Sequence, residues 1–357
     1  MEKENFKKVL VFIYLFLLPC AILAQSNTIY TRSLEELYFG RQPSARTEAV
    51  GRCGVAIMGD VFSSFYNPAG FSFNNGLSLS GSYAEPYYLL QNANYNFIGI
   101  NYDFKNYGNI GLSRFRFNYG GIEYNGDTDS DFISMFILSY AFKPTKDFSL
   151  GFNIDLIQKK SFQRSFYAYR VIYPVDVGLL KVFKFRGRKG INQRILIGAS
   201  LFNINCAKIG FEGQKNALPV IFRLGGSYKL SLYKKMFSPK LNIFSILFTS
   251  EYQDLFNSKY RTGFKMGTEI SLFEMFAFRL GYYRETLDDY GYSSNKDLLD
   301  DITFGFGFQL PLYTITGKKI PLNFKFDMTT LQQPSYTREF DNCGNFTVYS
   351  FSVHWTI

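Results

Sequence analysis

Side chains that could carry out chemistry are sparse in this chain and form no catalytic pattern. His354 is the single histidine, so a site built on several histidines is excluded. Ser350 and Ser352 alternate with it in the sequence and could offer a serine–histidine pair, but they carry no hydrolase motif. No phosphate-binding Walker loop and no paired-cysteine zinc spacing occur. We therefore expect a protein that is not an enzyme and that needs no cofactor or metal.

Scattered charges form a second group. They lie among glycine, serine and asparagine on the polar phase of alternating segments: Arg223, Lys265, Glu269, Arg279, Lys325 and Asp327. The polar face of a soluble β-sandwich meets water and should be rich in lysine, glutamate and threonine. A face of small polar residues with scattered charges instead fits a crowded polar lumen, where the charges can pair with one another.

These charges belong to stretches of about ten residues in which large apolar and small or polar side chains alternate. Clear examples are residues 148–156, 302–310 and 322–328. A period of two places each apolar set on one face of a strand. The pattern predicts strands at 75–84, 94–104, 108–119, 131–142, 147–158, 165–184, 193–204, 218–231, 240–253, 260–272, 275–286, 300–310, 319–329 and 345–357.

Composition and loop lengths favour a membrane barrel over a sandwich. Aromatic residues make up 19% of the 357 residues, yet the mean hydropathy is only −0.08, which suits strands with one lipid-facing side. Several short connections alternate with longer polar ones, as short periplasmic turns and outer loops would. We expect an all-β fold, a transmembrane antiparallel β-barrel of about 14 strands. A secreted sandwich is the remaining alternative.

The N-terminus predicts export to the cell outer membrane. Lysines precede an apolar run and a small-residue exit, so residues 1–24 are expected to be a signal peptide. An uncleaved anchor and a lipoprotein lipidated at Cys20 are the alternatives. Residues 25–74 lack the strand alternation and are expected to form an N-terminal hatch or plug, and residues 75–357 form the barrel.

The net charge and the cysteine count limit the expected binding partners and disulfide bonds. The formal charge of +10 falls to +9 when three lysines and two glutamates leave with the signal peptide. In an exported chain this charge suits outer-membrane lipid and lipopolysaccharide rather than nucleic acid. Three cysteines remain, Cys53, Cys206 and Cys343, and an odd count argues against a full disulfide framework. A Cys206–Cys343 bond and two unpaired thiols both stay open.

Two further surfaces are expected to bind partners. The last predicted strand alternates to the chain end and should serve the barrel-assembly machinery as an insertion signal: Tyr349, Phe351, Val353, Trp355 and Ile357. The connection after the first strand carries an apolar patch suited to docking, ligand entry or the lipid interface: Tyr87, Tyr88, Leu89 and Leu90.

A glycine-rich motif before the first strand resembles a known family. It contains Gly51, Gly54, Gly59, Asp60, Asn67, Pro68, Ala69 and Gly70. This stretch resembles the hatch of FadL-type outer-membrane transporters, particularly their PorV/PorQ-like relatives in Bacteroidota. The resemblance implies passive uptake of a hydrophobic small molecule, or alternatively a type IX secretion-associated barrel that binds secreted proteins at the cell surface. A flexible leader with an accidental match is the simpler alternative.

The resemblance also implies a lateral opening in the third strand. Ile110 and Leu112 share one phase, whereas Phe115 and Phe117 fall on the other. A bulge near Ser113, between Leu112 and Arg114, would return the apolar groups to one face. Uptake predicts an apolar tunnel and such an opening, whereas a secretion role predicts a mainly sealed, polar lumen and a protein-binding rim.

Overall fold

The computed structural model describes residues 42–86, 93–124, 127–163, 166–187, 190–211, 214–218, 220–234, 241–255, 262–287, 297–316, 320–331 and 345–356. The predicted signal peptide, the first part of the hatch, the apolar patch at Tyr87 to Leu90, Cys343 and Ile357 lie outside these residues.

Alternating sequence forms antiparallel strands that close into a barrel. The strands are β1 (Leu77–Ala84), β2 (Asn94–Asp103), β3 (Asn109–Tyr124), β4 (Asp127–Thr145), β5 (Phe148–Gln163), β6 (Phe166–Ile172), β7 (Val175–Arg186), β8 (Ile191–Phe202), β9 (Lys208–Phe211), β10 (Gln214–Ala217), β11 (Ile221–Lys234), β12 (Leu241–Leu255), β13 (Gly263–Leu272), β14 (Phe276–Leu287), β15 (Asp297–Leu310), β16 (Leu322–Leu331) and β17 (Phe346–Trp355).

Fourteen of these strands form the ring, which confirms the predicted fold class. Each pairs with its sequence neighbours, and β1 pairs with β17 to close the sheet. The predicted sixth strand is divided into β6 and β7, both paired with β5, because Pro174 between them has no backbone N–H to donate. The β9–β10 hairpin stands apart from the ring as a two-stranded sheet.

The two ends of the barrel differ. At the turn end, β1 begins, β17 ends, and short connections such as Lys146–Asp147 and Phe273–Met275 join the strands. The loop end is the opposite one. A short helix, α3 (Leu312–Ile315), lies in the β15–β16 connection at the turn end. Described helices include none that is long and apolar enough to cross a membrane.

The outward face of the wall carries large apolar side chains. Ile98 on β2 is 57% exposed and Phe304 on β15 is 61% exposed, and similar residues continue around the ring. Exposed apolar surface of this extent is far larger than a soluble monomer presents to water.

The N-terminal residues lie within the ring. Residues 42–76, called the inner segment below, contain α1 (Ala45–Ala49), α2 (Ser63–Tyr66) and a 3₁₀ turn, Pro68–Phe73. Ser44 caps α1 by accepting a hydrogen bond from the Thr47 N–H. The inner segment contacts the inward faces of strands on opposite sides of the barrel, including β5 and β15.

The predicted bulge in the third strand is wrong. The ladders that β3 forms with β2 and β4 run without a break from Asn109 to Asn118, past Leu112, Ser113 and Arg114. The register shift lies farther along, between Asn118 and Gly121. Phe115 and Phe117 change phase because they face inward, into an apolar part of the lumen, and no backbone irregularity is required.

The lumen is polar only in part, which corrects the expectation of a polar interior throughout. Its loop-end half holds a buried apolar cluster that includes Tyr95, Phe97, Phe115, Phe117 and Phe346 from the wall. At this level the outward phase is largely polar, with Arg114, Arg116 and Asn118 on β3 and Asn94 and Asn96 on β2. Charged side chains occur in both halves of the lumen: Glu269 and Lys325 lie towards the turn end, whereas Asp176, Arg223 and Glu285 lie near the loop ends of their strands.

Candidate functional site

Side chains of the wall hold the inner segment by its backbone. Ser149, Ser200 and Ser227 donate hydrogen bonds to the carbonyls of Ala69, Tyr66 and Ala56, at 2.7, 2.9 and 2.9 Å. Asn153 donates to the Ser64 carbonyl at 2.8 Å. These contacts satisfy backbone groups that the irregular inner segment cannot pair with itself. They explain why small polar residues occupy the inward phase of the strands.

The Asn67-Pro68-Ala69-Gly70 motif joins two parts of the inner segment to the wall. The Asn67 side-chain amide donates to the carbonyls of Val55 at 2.8 Å and Leu179 on β7 at 2.9 Å. The side-chain oxygen of Asn67 accepts a hydrogen bond from the Ala69 N–H at 3.1 Å and caps the 3₁₀ turn. Asparagine supplies both donors and an acceptor, so no other side chain of this size could replace all three bonds.

Glycines of the wall admit the backbone of the inner segment. A Cβ atom at Gly281 on β14 would overlap the Gly51 nitrogen, and one at Gly151 on β5 would overlap the Ala69 nitrogen. Gly51 itself has a φ of +69° and lies against the β14 backbone. Other inward glycines that a Cβ would bring against the inner segment are Gly178, Gly198, Gly225, Gly267 and Gly305.

One charge network ties α1 to the turn-end half of the wall. The Arg46 guanidinium forms two hydrogen bonds of 2.8 Å to the Glu269 carboxylate. Arg279 also donates to Glu269, at 2.6 Å, and bonds Asp327 at 2.9 Å. Lys325 completes the network at 2.9 Å from Asp327. Four of the six predicted lumen charges meet here, joined by Arg46, which was not among them.

A second network holds the stretch that follows α1. Arg52 bonds Glu48 at 2.9 Å, and both side chains are buried. Lys265 lies 3.5 Å from Glu251 and from Glu285. One Glu251 oxygen accepts from the N–H groups of Gly54 and Val55, at 2.7 and 2.9 Å. Glu251 thus anchors the Gly54 part of the predicted hatch motif. The sixth predicted charge, Arg223, donates to the Phe65 carbonyl at 3.0 Å.

Burial and charge shift the pKa values of inner-segment groups. Burial disfavours the charged form of Arg46, but the Glu269 carboxylate outweighs it and holds the pKa of Arg46 above its usual value. Burial raises the pKa of the Tyr66 hydroxyl and of the Cys53 thiol. Cys53 is therefore an unreactive thiol at neutral pH.

The apolar cluster joins the inner segment to the loop-end wall. Phe62 lies 4.7 Å from Phe97 between ring centroids, and Phe65 lies 5.3 Å from Phe115. Tyr95 packs edge-on against Phe115 at 5.9 Å. The rings are buried, and their contacts are dispersive rather than hydrogen-bonded. The guanidinium of Arg223 borders this cluster, since it donates to the Phe65 carbonyl and lies 4.9 Å from the centroid of the Phe202 ring.

The other predicted residues occupy plainer positions. Gly59 has a φ of +78°, and Asp60 accepts a hydrogen bond from the Phe62 N–H at 3.0 Å. Tyr349, Phe351 and Trp355 are exposed on the outward face, and Val353 is half-buried. His354 bonds Ser78 at 2.7 Å, while Ser352 bonds Ser80. Within the described ranges, no group of histidine, cysteine, aspartate or glutamate could hold a metal ion.

Sequence reasoning missed Arg46 and the inward aromatic residues. Arg46 lies outside the alternating segments, so nothing marked it as a partner for Glu269. The phase change at Phe115 did signal the apolar lumen, but it could be recognised only if the lumen side of the strand was considered apolar there.

No model of a protein family matches the sequence, and no curated protein matches it. Among solved structures, the chain is similar to the CymD monoaromatic hydrocarbon channel, with 10% identity and a TM-score of 0.51 over 88% of this chain and 98% of that one. The Pseudomonas putida toluene transporter TodX gives 11% identity and 0.47 over 88% and 99%. A Pseudomonas aeruginosa FadL homologue gives 10% and 0.40 over 88% and 98%. The likeness to CymD supports the outer-membrane-type barrel fold.

Proposed function

We propose that the chain is an outer-membrane barrel for passive uptake of hydrophobic small molecules, with the inner segment as its hatch. The observation that carries the proposal is the apolar cluster at the loop end, which faces the lumen of a wall that is also apolar outside. An apolar molecule can pack among these side chains without the loss of any hydrogen bond. The names of the CymD and TodX channels, which refer to aromatic hydrocarbons, agree with such a cargo.

The distribution of charge supports a particular movement of the hatch. Residues 44–55 are held to β12–β16 by the two buried charge networks. Residues 56–74 are held to β3–β8 mainly by neutral hydrogen bonds and ring contacts, such as Ser64 to Ser113 at 2.9 Å. Separating buried ion pairs costs more than separating neutral pairs. Residues 56–74 are therefore the part that moves aside, while residues 44–55 stay anchored.

The experiment is an uptake assay in cells that carry the chain in their outer membrane. A radiolabelled monoaromatic hydrocarbon serves as the apolar probe and a labelled disaccharide as the polar control. We expect the chain to raise the initial rate of hydrocarbon uptake only. Phe117→Asp should lower that rate towards that of cells without the chain, whereas Phe117→Leu, which keeps the lumen apolar, should retain it. Equal rates with and without the chain would refute uptake.

A second candidate function rests on a different observation. The inner segment fills the middle of the lumen, and the wall of β3 is unbroken from Asn109 to Asn118, as a sealed barrel would require. Such a barrel could bind secreted proteins at the cell surface in a type IX pathway. Recovery of a defined secreted protein with the detergent-purified barrel, together with no hydrocarbon uptake, would favour this role.

A further inference from the structure

Three cations lie side by side on the inner wall at the turn end. Lys184 on β7, Arg194 on β8 and Lys229 on β11 occupy the inward phase of their strands. Lys184 pairs with Arg194 in the β7–β8 register, and Lys229 pairs with Arg194 in the β8–β11 register. Like charges directly opposite one another destabilise a sheet. The three neighbouring strands therefore concentrate positive charge on one side of the barrel mouth.

Only one of the three cations has a carboxylate partner. Lys184 bonds Asp147 at 2.6 Å in an exposed pair. Over the described part of the chain, Arg194 and Lys229 form no ion pair. Glu269 lies at the level of Lys229 two strands away, with Leu247 of β12 between them in the register, and is already held by Arg46 and Arg279. Lys229 therefore has a carboxylate nearby, but it forms no ion pair of its own with the described residues.

Lys229 faces a cavity of about 350 Å³ between the inner segment and the turn end. Hydroxyl and amide groups that can donate hydrogen bonds line it, among them Tyr233, Asn242 and Ser245. Two more acids, Asp60 and Glu274, also line it. Asp60 is engaged with the Phe62 N–H, and burial raises the pKa of Glu274, which lies in the β13–β14 turn. Neither acid forms an ion pair with Lys229 in the part of the chain that the structure describes.

We propose that this cavity binds a small oxyanion, a phosphate or carboxylate group, that enters from the turn end and lies against Lys229, whose register neighbour on β8 is Arg194. A neutral hydrocarbon makes no use of these cations, so the site goes beyond the proposed uptake function. The cations supply the charge, and the neighbouring hydroxyl and amide groups supply further hydrogen bonds. Filling the site would relieve the repulsion between the paired cations.

The test is calorimetric titration of the full-length barrel in zwitterionic detergent, with inorganic phosphate in one arm and acetate in the other. We expect binding that weakens as sodium chloride is added. Lys229→Gln should weaken it about tenfold or more, because a hydrogen bond to a charged group is lost. Arg194→Gln, which removes a neighbouring charge outside the cavity lining, should weaken it less. Lys181→Gln, on the outward phase of β7, is the matched control and should change the affinity by less than about twofold.

The two arms identify the ligand class: binding of phosphate alone indicates phosphate compounds, and equal binding of acetate indicates carboxylates. Heat-modifiable gel mobility of each variant shows that it is folded. Absence of binding in both arms, or binding that Lys229→Gln leaves unchanged, would overturn the proposal. Hydrocarbon uptake by Lys229→Gln is measured in parallel. Loss of oxyanion binding with normal uptake separates this site from the uptake function.

Discussion

The addition of a methyl group at Gly281 tests the close contact between the wall and the inner segment. Gly281→Ala would bring a Cβ atom against the Gly51 backbone, which cannot move without a shift of the inner segment. Overpacking of this kind costs about 1–3 kcal/mol. We expect a lower unfolding temperature in detergent, measured as the temperature at which heat-modifiable gel mobility is lost.

Gly226→Ala is the matched control for this change. Gly226 lies on the outward phase of β11, and an added Cβ would meet only an ordinary contact of 3.6 Å, with the Leu196 carbonyl oxygen. Its melting temperature should equal that of the parent protein. Equal melting of the Gly281 and Gly226 variants would show that the inner segment does not lie against β14.

Glu269 is the residue on which the turn-end charge network depends. Glu269→Gln leaves Arg46 and Arg279 without their shared carboxylate in a buried setting. Loss of one member of a buried ion pair costs about 3–5 kcal/mol. We expect a marked loss of stability in denaturant titration. Asp147→Asn, which removes an exposed pair with Lys184, should leave the transition unchanged, and similar midpoints for both variants would contradict the assigned role of Glu269.

At the scale of elements, the hatch can be locked to the wall. The hydroxyl oxygens of Ser64 on α2 and Ser113 on β3 lie 2.9 Å apart, and both residues are buried. A Ser64→Cys, Ser113→Cys double variant should form a disulfide that fixes residues 56–74 in place. We expect hydrocarbon uptake to fall under oxidising conditions and to recover with a reductant.

The single Ser64→Cys variant is the control for this lock and should respond to neither treatment. Uptake that continues at the parent rate with the disulfide formed would show that residues 56–74 do not move aside. The cargo would then follow another route through the barrel.

Strand positions were predictable from the sequence because alternation is a local property of each segment. The break at Pro174 was visible for the same reason. The interior was harder to predict, since alternation assigns residues to two faces without saying what either face contacts. On β3, Phe115 and Phe117 pack against Phe65 and Tyr95, which are distant in sequence.

The contacts of the hatch were beyond sequence reasoning for a related physical reason. Many of them use the backbone of the inner segment, as in the bonds from Ser149 and Ser200 to carbonyl oxygens. Backbone acceptors leave no residue signature at the accepting position. The recurring glycines on the inward phase of the strands were the available signal, and they indicated room in the lumen without showing what fills it.

At the scale of the whole molecule, the barrel presents three environments. Its outward face is largely apolar, the loop-end lumen combines an apolar cluster with buried charges such as Asp176 and Arg223, and the middle and turn end of the lumen carry further charge. An apolar molecule would enter along the apolar cluster and would then meet the inner segment and its charge networks. Passage is therefore expected to depend on the hatch more than on the wall.

Thiol labelling of Cys53 tests whether a closed membrane barrel surrounds the inner segment. Outer membranes containing the Cys206→Ser, Cys343→Ser chain are treated with a water-soluble maleimide before and after boiling. The label is mapped to Cys53 by mass spectrometry. We expect a heat-modifiable band in which Cys53, only 2% exposed, reacts with the maleimide only after boiling. Rapid labelling of Cys53 in the unheated band, or a band without heat-modifiable mobility, would contradict this prediction.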